Sequence, residues 1–235
     1  MAYPYDPDEF DLCVMRAKAK FANSRLQDAD ESITSLMVWH CGKFDVDIIE
    51  RFTSLRSLRV AGWYGSSLDA LRAMPSLEHL FIYMLPNVTS FDALSELSGL
   101  RHVELSVNHW NDMQSIDSFE PIGDHQHLQY VRLTGFSPID KNLVCLLNNP
   151  SLTKLELADV FPLEELAKAI QLRPDLAEYF EPIVCEDIKC NKCKAHKVSL
   201  RGLSGSRRMR LLCPECNHKR VKCHQAEFEA LLVGN

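Results

Sequence analysis

Two cysteine pairs near the carboxyl end of the chain have the spacing of metal ligands. Cys190 and Cys193 form the first C-x2-C pair, Cys213 and Cys216 form the second, and 19 residues separate the pairs. Each pair favours a tight turn that aims two thiolates at one point, and two such turns complete a tetrahedron of sulfur ligands. Two pairs at this separation are typical of a zinc site. We therefore expect one zinc ion with a structural role.

The residues between and after the pairs favour short strands around this metal. Residues 196–201 alternate in polarity, residues 202–206 are rich in glycine and serine, and residues 208–212 return as a second strand. A third strand is expected over residues 219–223. The segment resembles a zinc ribbon. A set of four thiolates leaves no open coordination position on zinc, so this resemblance implies a structural metal rather than a catalytic one.

The charge of the chain changes sign shortly before these cysteines. Residues 1–184 carry 15 Lys+Arg and 27 Asp+Glu, a net charge of −12, whereas residues 185–235 carry 11 and 5, a net charge of +6. We place a domain boundary at this change. The expected domains are an N-terminal helical cap over residues 1–32, a repeat domain over residues 33–184 and a zinc-ribbon module over residues 185–235.

The positive charge of the ribbon leaves nucleic acid open as an alternative partner. Residues 188–224 hold 11 Lys+Arg and a single acid, Glu215. Phosphate binding is largely electrostatic, but no aromatic residues are interleaved to stack on bases. Docking of the basic ribbon onto the acidic repeat domain is a competing use of the same charge. The cations of this surface include Arg207, Arg208, Arg210, Lys219, Arg220 and Lys222.

The longer part of the chain repeats one leucine-rich pattern six times. In each copy, two variable residues separate the first apolar residue from the second, and one separates the second from the third. The copies start 22, 22, 23, 28 and 24 residues apart. Each copy predicts a short strand with its apolar residues inside, followed by a helical or 3-10 return. The copies are Ile33-Leu36-Val38, Leu55-Leu58-Val60, Leu77-Leu80-Ile82, Leu100-Val103-Leu105, Leu128-Val131-Leu133 and Leu152-Leu155-Leu157.

This pattern resembles the leucine-rich repeats of the short bacterial type that internalin-like proteins carry, over residues 33–180. The resemblance implies an α/β solenoid with parallel strands on its concave face. The asparagine usual in such repeats, five positions after the central leucine, is present only as Asn108, so the repeats are divergent. Solenoids of this kind usually bind other molecules. The resemblance therefore implies a bacterial adaptor, effector or immunity-type protein that binds a partner protein.

The outward positions of the predicted strands supply the candidate partner-binding residues. Aromatic residues and arginine are concentrated there, and these types are enriched in the hot spots of protein interfaces. The alternative is that any such sheet needs strand-forming residues on its outer face. The candidates are Trp39, Arg59, His79, Phe81, Tyr83, His102, Glu104, Tyr130 and Arg132.

Both ends of a solenoid need a cover, because bare ends expose the apolar core and the sheet edge. Within residues 8–27, the residues Phe10, Val14, Ala17 and Phe21 are near helical spacing, which predicts an N-terminal helical cap. The cysteine-rich module is expected to cover the other end.

Several functional classes are not expected. The sequence has no Gly-rich phosphate loop, no nucleophile elbow and no H-E-x-x-H motif, so we predict no enzymatic activity and no small-molecule substrate. Its apolar clusters are too short to cross a bilayer, so no membrane partner is expected. The amino terminus lacks a signal pattern, and the nine cysteines favour reduced thiols over a disulfide scaffold. We therefore expect a cytoplasmic protein.

Overall fold

The computed structural model describes residues 6–107, 113–158, 160–202 and 210–234 of the 235-residue chain. Within these residues, the main feature is a parallel sheet of seven strands that follow one another in chain order. These are β1 (Leu12–Met15), β2 (Ser35–Trp39), β3 (Ser57–Ala61), β4 (His79–Tyr83), β5 (His102–Ser106), β7 (Tyr130–Thr134) and β9 (Lys154–Leu157). The strands β6 (Gln114–Ile116) and β8 (Phe136–Pro138) form a second parallel sheet. The strands β10 (Ile183–Lys189), β11 (His196–Leu200) and β12 (Arg210–Leu212) form an antiparallel sheet.

Short helices return the chain from one strand to the next. The compact repeats use 3-10 helices, which rise further per residue than α-helices and so complete a return with few residues. The later, longer repeats contain α-helical turns instead. The 3-10 helices are Pro7–Glu9, Val46–Arg51, Asp69–Ala73, Asp92–Glu96 and Pro174–Tyr179. The α-helices are α1 (Ala19–Gln27), α2 (Glu120–Gly123), α3 (Val144–Leu147), α4 (Leu163–Leu172) and α5 (His218–Val233).

The inward residues of the parallel strands form a continuous core. The central apolar residue of each repeat pairs in register with its counterpart in the next repeat, and all six are buried. Because each repeat buries its apolar side against its neighbours, the core runs along the whole stack. The expected leucine-rich repeat solenoid is therefore confirmed. The six stacked residues are Leu36, Leu58, Leu80, Val103, Val131 and Leu155.

Other buried side chains occupy the positions where related repeats have asparagine. The thiol of Cys41 donates to a main-chain oxygen of β1 at 3.2 Å, as an asparagine amide would. The indole Nε1 of Trp63 donates to a nearby main-chain oxygen at 2.9 Å, and Phe136 is fully buried. Asn108 lies outside the described residues. At these divergent positions, buried side chains therefore fill the space, and those of Cys41 and Trp63 also form hydrogen bonds to the main chain.

The N-terminal cap is only partly helical, so the helical prediction for this segment was wrong in its first half. Helix α1 lies within residues 8–27, but β1 precedes it and pairs with β2 in parallel. Val14 is buried in the core, whereas the side chain of Phe21 is 60% exposed. The backbone groups at the edge of β2 need partners, and an extended segment satisfies them where a helix cannot.

The third strand of the antiparallel sheet comes before the cysteine pairs, not after them. The prediction of a strand over residues 219–223 was wrong, because these residues lie in α5. Buried or partly buried residues recur along α5 at the spacing of one helical face, namely His224, Phe228, Leu231 and Leu232. Strand β10 supplies the third strand instead and runs across the boundary that was placed between residues 184 and 185.

Helix α5 covers the carboxyl end of the solenoid. Phe228 is buried in the same apolar cluster as Leu163 and Leu166 of α4. The side-chain amide of Gln171 donates to the main-chain oxygen of Leu232 at 3.2 Å, which joins the ends of α4 and α5. The cysteine-rich module and the repeats therefore share one core.

Candidate functional site

The structure brings the four predicted metal ligands together. The Sγ atoms of Cys190, Cys193, Cys213 and Cys216 all lie within 4.8 Å of one another. The separations are 3.9 Å between Cys190 and Cys216, 3.2 Å between Cys193 and Cys213, and 3.7 Å between Cys193 and Cys216. A tetrahedral zinc ion with Zn–S bonds of about 2.3 Å places its sulfurs about 3.8 Å apart. The four sulfurs therefore have the arrangement needed to bind a metal ion.

Backbone hydrogen bonds shape both cysteine turns. In the first turn, the N–H of Lys194 donates to the main-chain oxygen of Cys190 at 3.0 Å, and Lys194 has a positive φ of 66°. In the second turn, the N–H of Asn217 donates to the main-chain oxygen of Cys213 at 2.8 Å. The N–H of Cys216 points at the Sγ of Cys213 at 3.4 Å. The main chain itself thus directs the sulfurs towards one point.

The electrostatics of the cluster favour a bound cation. Main-chain N–H groups of Cys193 and Lys192 donate to the sulfur of Cys190 and lower its pKa to about 6. The pKa of Cys216 is raised to about 12, because its thiol forms hydrogen bonds with the sulfurs of Cys193 and Cys213. Sulfurs this close cannot all carry negative charge unless a cation compensates them, and a metal ion provides that charge.

The neighbouring cysteines and histidines lie outside this cluster. Cys185 and Cys223 are exposed. His224 is buried, and its Nε2 donates to the main-chain oxygen of Arg201 at 2.8 Å. In the part of the chain that the structure describes, no second group of three or more potential ligands is close enough to hold a metal ion.

The nine candidate partner-binding residues lie on one side of the parallel sheet, opposite the core. We call this side, formed by the outward residues of the seven parallel strands, the strand face. The first outward column aligns His79, His102 and Tyr130. The second aligns Arg59, Phe81, Glu104 and Arg132, and the third contains Trp39 and Tyr83.

The amino-terminal part of the strand face is aromatic. Trp39 and Phe81 stack with ring centroids 5.9 Å apart. The guanidinium carbon of Arg59 lies 5.6 Å from the ring centre of Phe10 and 5.9 Å from that of Phe81. Trp39 is only 8% exposed, so much of its surface already serves contacts within the chain. We call this region the aromatic half; it comprises Phe10, Met37, Trp39, Arg59, Ala61, Phe81 and Tyr83.

The sequence did not place Phe10 in this region. Its helical spacing to Val14 predicts a place in the N-terminal cap. The structure places Phe10 beside the outward residues of β2 and β3, where it packs against an apolar cluster that includes Met37. The strand β1 makes this possible, because it extends the strand face by one strand.

The carboxyl-terminal part of the strand face is a network of ion pairs. Arg132 lies between two carboxylates, with its Nη1 3.6 Å from Glu104 and its Nε 3.3 Å from Glu156. The phenol of Tyr130 donates to Glu156 at 3.0 Å, and the Nζ of Lys154 is 3.2 Å from the same carboxylate. We call this region the charged half; it comprises His79, His102, Glu104, Tyr130, Arg132, Lys154 and Glu156.

In the charged half, the basic side chains are more exposed to solvent than the acidic ones. Burial raises the pKa of Glu104, but the hydrogen bond from His102 and the charges of nearby arginines outweigh it and lower the pKa overall. This carboxylate therefore stays ionised beneath its partners, and its side chain is only 14% exposed. The side chains of Arg132 and Lys154 are 44% and 52% exposed. Partial desolvation of the ring and the nearby His102 lower the pKa of His79, which favours the neutral ring near pH 7.

The described residues include part of the basic surface of the ribbon. Lys219, Arg220 and Lys222 are exposed in the first turns of α5. Arg207 and Arg208 lie outside the described residues, and Arg210 belongs to β12. Phe228 is the only Phe, Tyr or Trp residue after Phe180, and it is buried in the core. Among the described residues, the ribbon therefore has no exposed phenylalanine, tyrosine or tryptophan ring on which a base could stack.

Comparisons with known proteins show remote structural likenesses. No protein-family model and no curated protein matches the chain. Among solved structures, it is similar to internalin C2 of Listeria monocytogenes strain 4b F2365, with a TM-score of 0.37 and 16% identity over 58% of each chain. It is also similar to an internalin, inlF, of the same strain, with a TM-score of 0.45 and 19% identity. That match covers 65% of this chain and 48% of the other. The chain thus spans about half the length of the structures it resembles.

The class of protein follows from the chain's own geometry. Parallel strands in register, short helical returns and a period of 22 to 28 residues define a leucine-rich repeat solenoid. A four-cysteine cluster able to bind a metal ion lies in the segment that follows the solenoid. Of the helices in the described ranges, none has the length and apolar character needed to span a membrane.

Proposed function

We propose that the chain is a non-catalytic module that binds a partner protein with its strand face, which is the concave side in leucine-rich repeat solenoids. The observation that carries this proposal is the position of the aromatic half next to the charged half on one face. An aromatic anchor beside exposed arginine has the composition of an interface hot spot.

The two halves contribute differently to binding. In the aromatic half, the stacking of Phe81 on Trp39 orders side chains before a partner arrives. This saves about 0.5–1.5 kcal/mol for each side chain that would otherwise be immobilised on binding. In the charged half, the exposed cations Arg132 and Lys154 favour partners with acidic groups and disfavour basic ones. Such complementarity acts mainly on specificity and association rate.

We also propose that the metal is zinc, one ion per chain, with a structural role. Zinc prefers tetrahedral thiolate sites, and four protein ligands leave no position for water or substrate. Elemental analysis of the purified chain should find one zinc per chain. Cys213→Ser should lower this content, whereas Cys185→Ser, which changes an exposed cysteine outside the cluster, should not. Protein that contains iron or no metal would contradict the assignment.

A cytoplasmic location is part of the proposal, because a thiolate site needs reduced cysteines. In cells, alkylation before lysis should modify exposed thiols such as Cys185 and Cys223. Recovery of the chain in the secreted fraction, with these cysteines oxidised, would contradict this location.

Partner binding is tested by altering the strand face without altering the core. Tyr83→Ser together with Arg132→Glu should abolish capture of the partner from a lysate of the source cell. The same double variant should bind the purified partner with an affinity at least tenfold lower than that of the wild type. The matched control is Arg25→Glu, which reverses an exposed charge on α1, away from the strand face. Equal binding by both variants, with folding confirmed by circular dichroism, would refute the proposed face.

The nucleic-acid alternative makes a different prediction. If the ribbon binds phosphate, the chain should bind DNA or RNA at low salt, and the affinity should fall steeply as salt increases. Replacing Lys219, Arg220 and Lys222 by alanine should then reduce that salt dependence. We expect no such binding, because the ribbon has no exposed phenylalanine, tyrosine or tryptophan to add stacking to the electrostatic attraction.

A further inference from the structure

The carboxyl end of the solenoid is closed by residues that continue directly from the metal-binding turns. We propose that metal occupancy of the four-cysteine cluster controls whether this end is closed. We call Arg201, Gly202 and helix α5 together the terminal cover. The proposal rests on the metal site proposed above and is independent of partner binding by the strand face.

The first connection runs through the segment between the two cysteine pairs. Gly202 has a φ of +79°, and a Cβ at this position would lie 2.6 Å from the Cδ2 of Leu163. Only glycine therefore fits against the first residue of α4. The guanidinium of Arg201 donates to the main-chain oxygen of Tyr179 at 2.8 Å. Residues anchored between the cysteine pairs thus contact both of the last helices of the solenoid.

The second connection runs through Asn217, which follows the second cysteine pair and precedes α5. Its N–H donates to the main-chain oxygen of Cys213 at 2.8 Å, and its Oδ1 accepts from the N–H of Cys213 at 3.3 Å. Its main-chain oxygen accepts from the N–H groups of Arg220 and Val221 at 3.0 and 3.2 Å. The metal-binding turn therefore determines where α5 begins, with no flexible linker between them.

The two connections meet inside the terminal cover. The Nε2 of buried His224 in α5 donates to the main-chain oxygen of Arg201 at 2.8 Å. One turn later, Phe228 packs in the core with Leu163. Each part of the cover therefore holds the other against α4. The N–H of Arg201 also donates to the main-chain oxygen of Pro182 at 2.8 Å, and α5 begins directly after the second cysteine turn.

The cysteine turns have little apolar core of their own. Most of residues 185–197 and 214–220 are exposed, so contacts other than the metal contribute little to their folding. Small segments of this kind depend on metal binding for their structure. When the cluster loses its metal, we expect the cysteine turns to open and the terminal cover to detach from α4. Leu163 and its neighbours in the core should then become exposed to solvent.

Hydrogen exchange on the full chain tests this inference. Exchange should be measured by mass spectrometry on zinc-loaded protein and on the same protein after a zinc chelator. Amides of α4 and α5 should exchange at least tenfold faster after chelation, with β3 and β4 as the internal reference. Unchanged protection of α4 after the metal has left would overturn the proposal.

Two kinds of variant distinguish loss of the metal from loss of the contact between Gly202 and Leu163. Cys213→Ser should reproduce the effect of the chelator, whereas Cys185→Ser should not. Gly202→Ala keeps all four ligands but should make α4 exchange fast even when zinc is bound. If Cys213→Ser gives no folded protein, chelation of the wild type and the exchange of Gly202→Ala decide the question. Slow exchange of α4 in zinc-loaded Gly202→Ala would overturn the proposal.

Elemental analysis separates the failure of this inference from that of the zinc assignment. Wild-type protein without zinc would refute both. Wild-type protein that holds one zinc ion per chain, but whose α4 does not respond to chelation, would refute only the control of the terminal cover.

Discussion

Leu80, at the second position of β4, provides a direct test of which strand residues face the core. It is fully buried and pairs in register with Leu58 of β3 and Val103 of β5. His79, its neighbour along the strand, is exposed on the strand face. The two residues differ by one position and point to opposite sides of the sheet, so alanine at each should have different effects.

The expected cost of Leu80→Ala follows from this burial. Truncating a buried leucine to alanine costs about 2–5 kcal/mol, from lost transfer free energy and from the cavity left behind. We expect a value in the upper part of this range, about 3–5 kcal/mol, because β4 is hydrogen-bonded on both sides and cannot move into the cavity. This is a large part of the stability of a typical domain, which is about 5–15 kcal/mol.

Urea unfolding followed by tryptophan fluorescence measures this loss, and Trp63 in the core is a suitable probe. Leu80→Ala should lower the midpoint without changing the slope of the transition. His79→Ala should change the free energy of unfolding by less than about 0.5 kcal/mol. A normal midpoint for Leu80→Ala, or a larger loss for His79→Ala, would mean that the assigned register is inverted.

Three further substitutions test other parts of the core. Arg173→Ala should cost about 2–3 kcal/mol in urea unfolding, because its guanidinium donates to main-chain oxygens such as that of Leu152 at 2.6 Å; a loss near zero would show that water replaces it. Burial lowers the pKa of His125 in the folded chain. As the pH falls, the imidazole of His125 is therefore protonated in the unfolded chain before it is protonated in the folded chain. The free energy of unfolding should therefore decrease below about pH 6.5, and His125→Gln should remove that part of the pH dependence; an identical pH profile for the variant would contradict this. Gly123→Ala should cost about 3 kcal/mol or more, because its methyl group would overlap the main-chain oxygen of Cys145; a wild-type midpoint would show that α2 and α3 can separate freely.

The outward columns of the strand face could be read from the sequence. Once the inward leucines were aligned, the residues between them had to face out, because side chains alternate along a strand. The structure pairs Arg59 with Phe81 and Glu104 with Arg132 as that alignment predicts. What alternation could not predict is that Phe10 would join this surface, since its position depends on a strand outside the repeats.

The two ends of the solenoid were the least predictable regions. Residues 12–15 are compatible with helical spacing, and they become β1 because the edge of β2 offers hydrogen-bonding partners. Residues 219–223 alone do not show that they belong to a helix of 16 residues. In both regions the local pattern was ambiguous, and contacts with the solenoid decided the conformation.

The sequence by itself determined the repeat register and the four metal ligands, because each depends on spacing along a short stretch of chain. Tertiary structure alone decided how the solenoid is closed. It placed Phe10 over the strand face and Phe228 against Leu163. These contacts join residues that are distant in sequence, and they form because exposed core at each end must be removed from water.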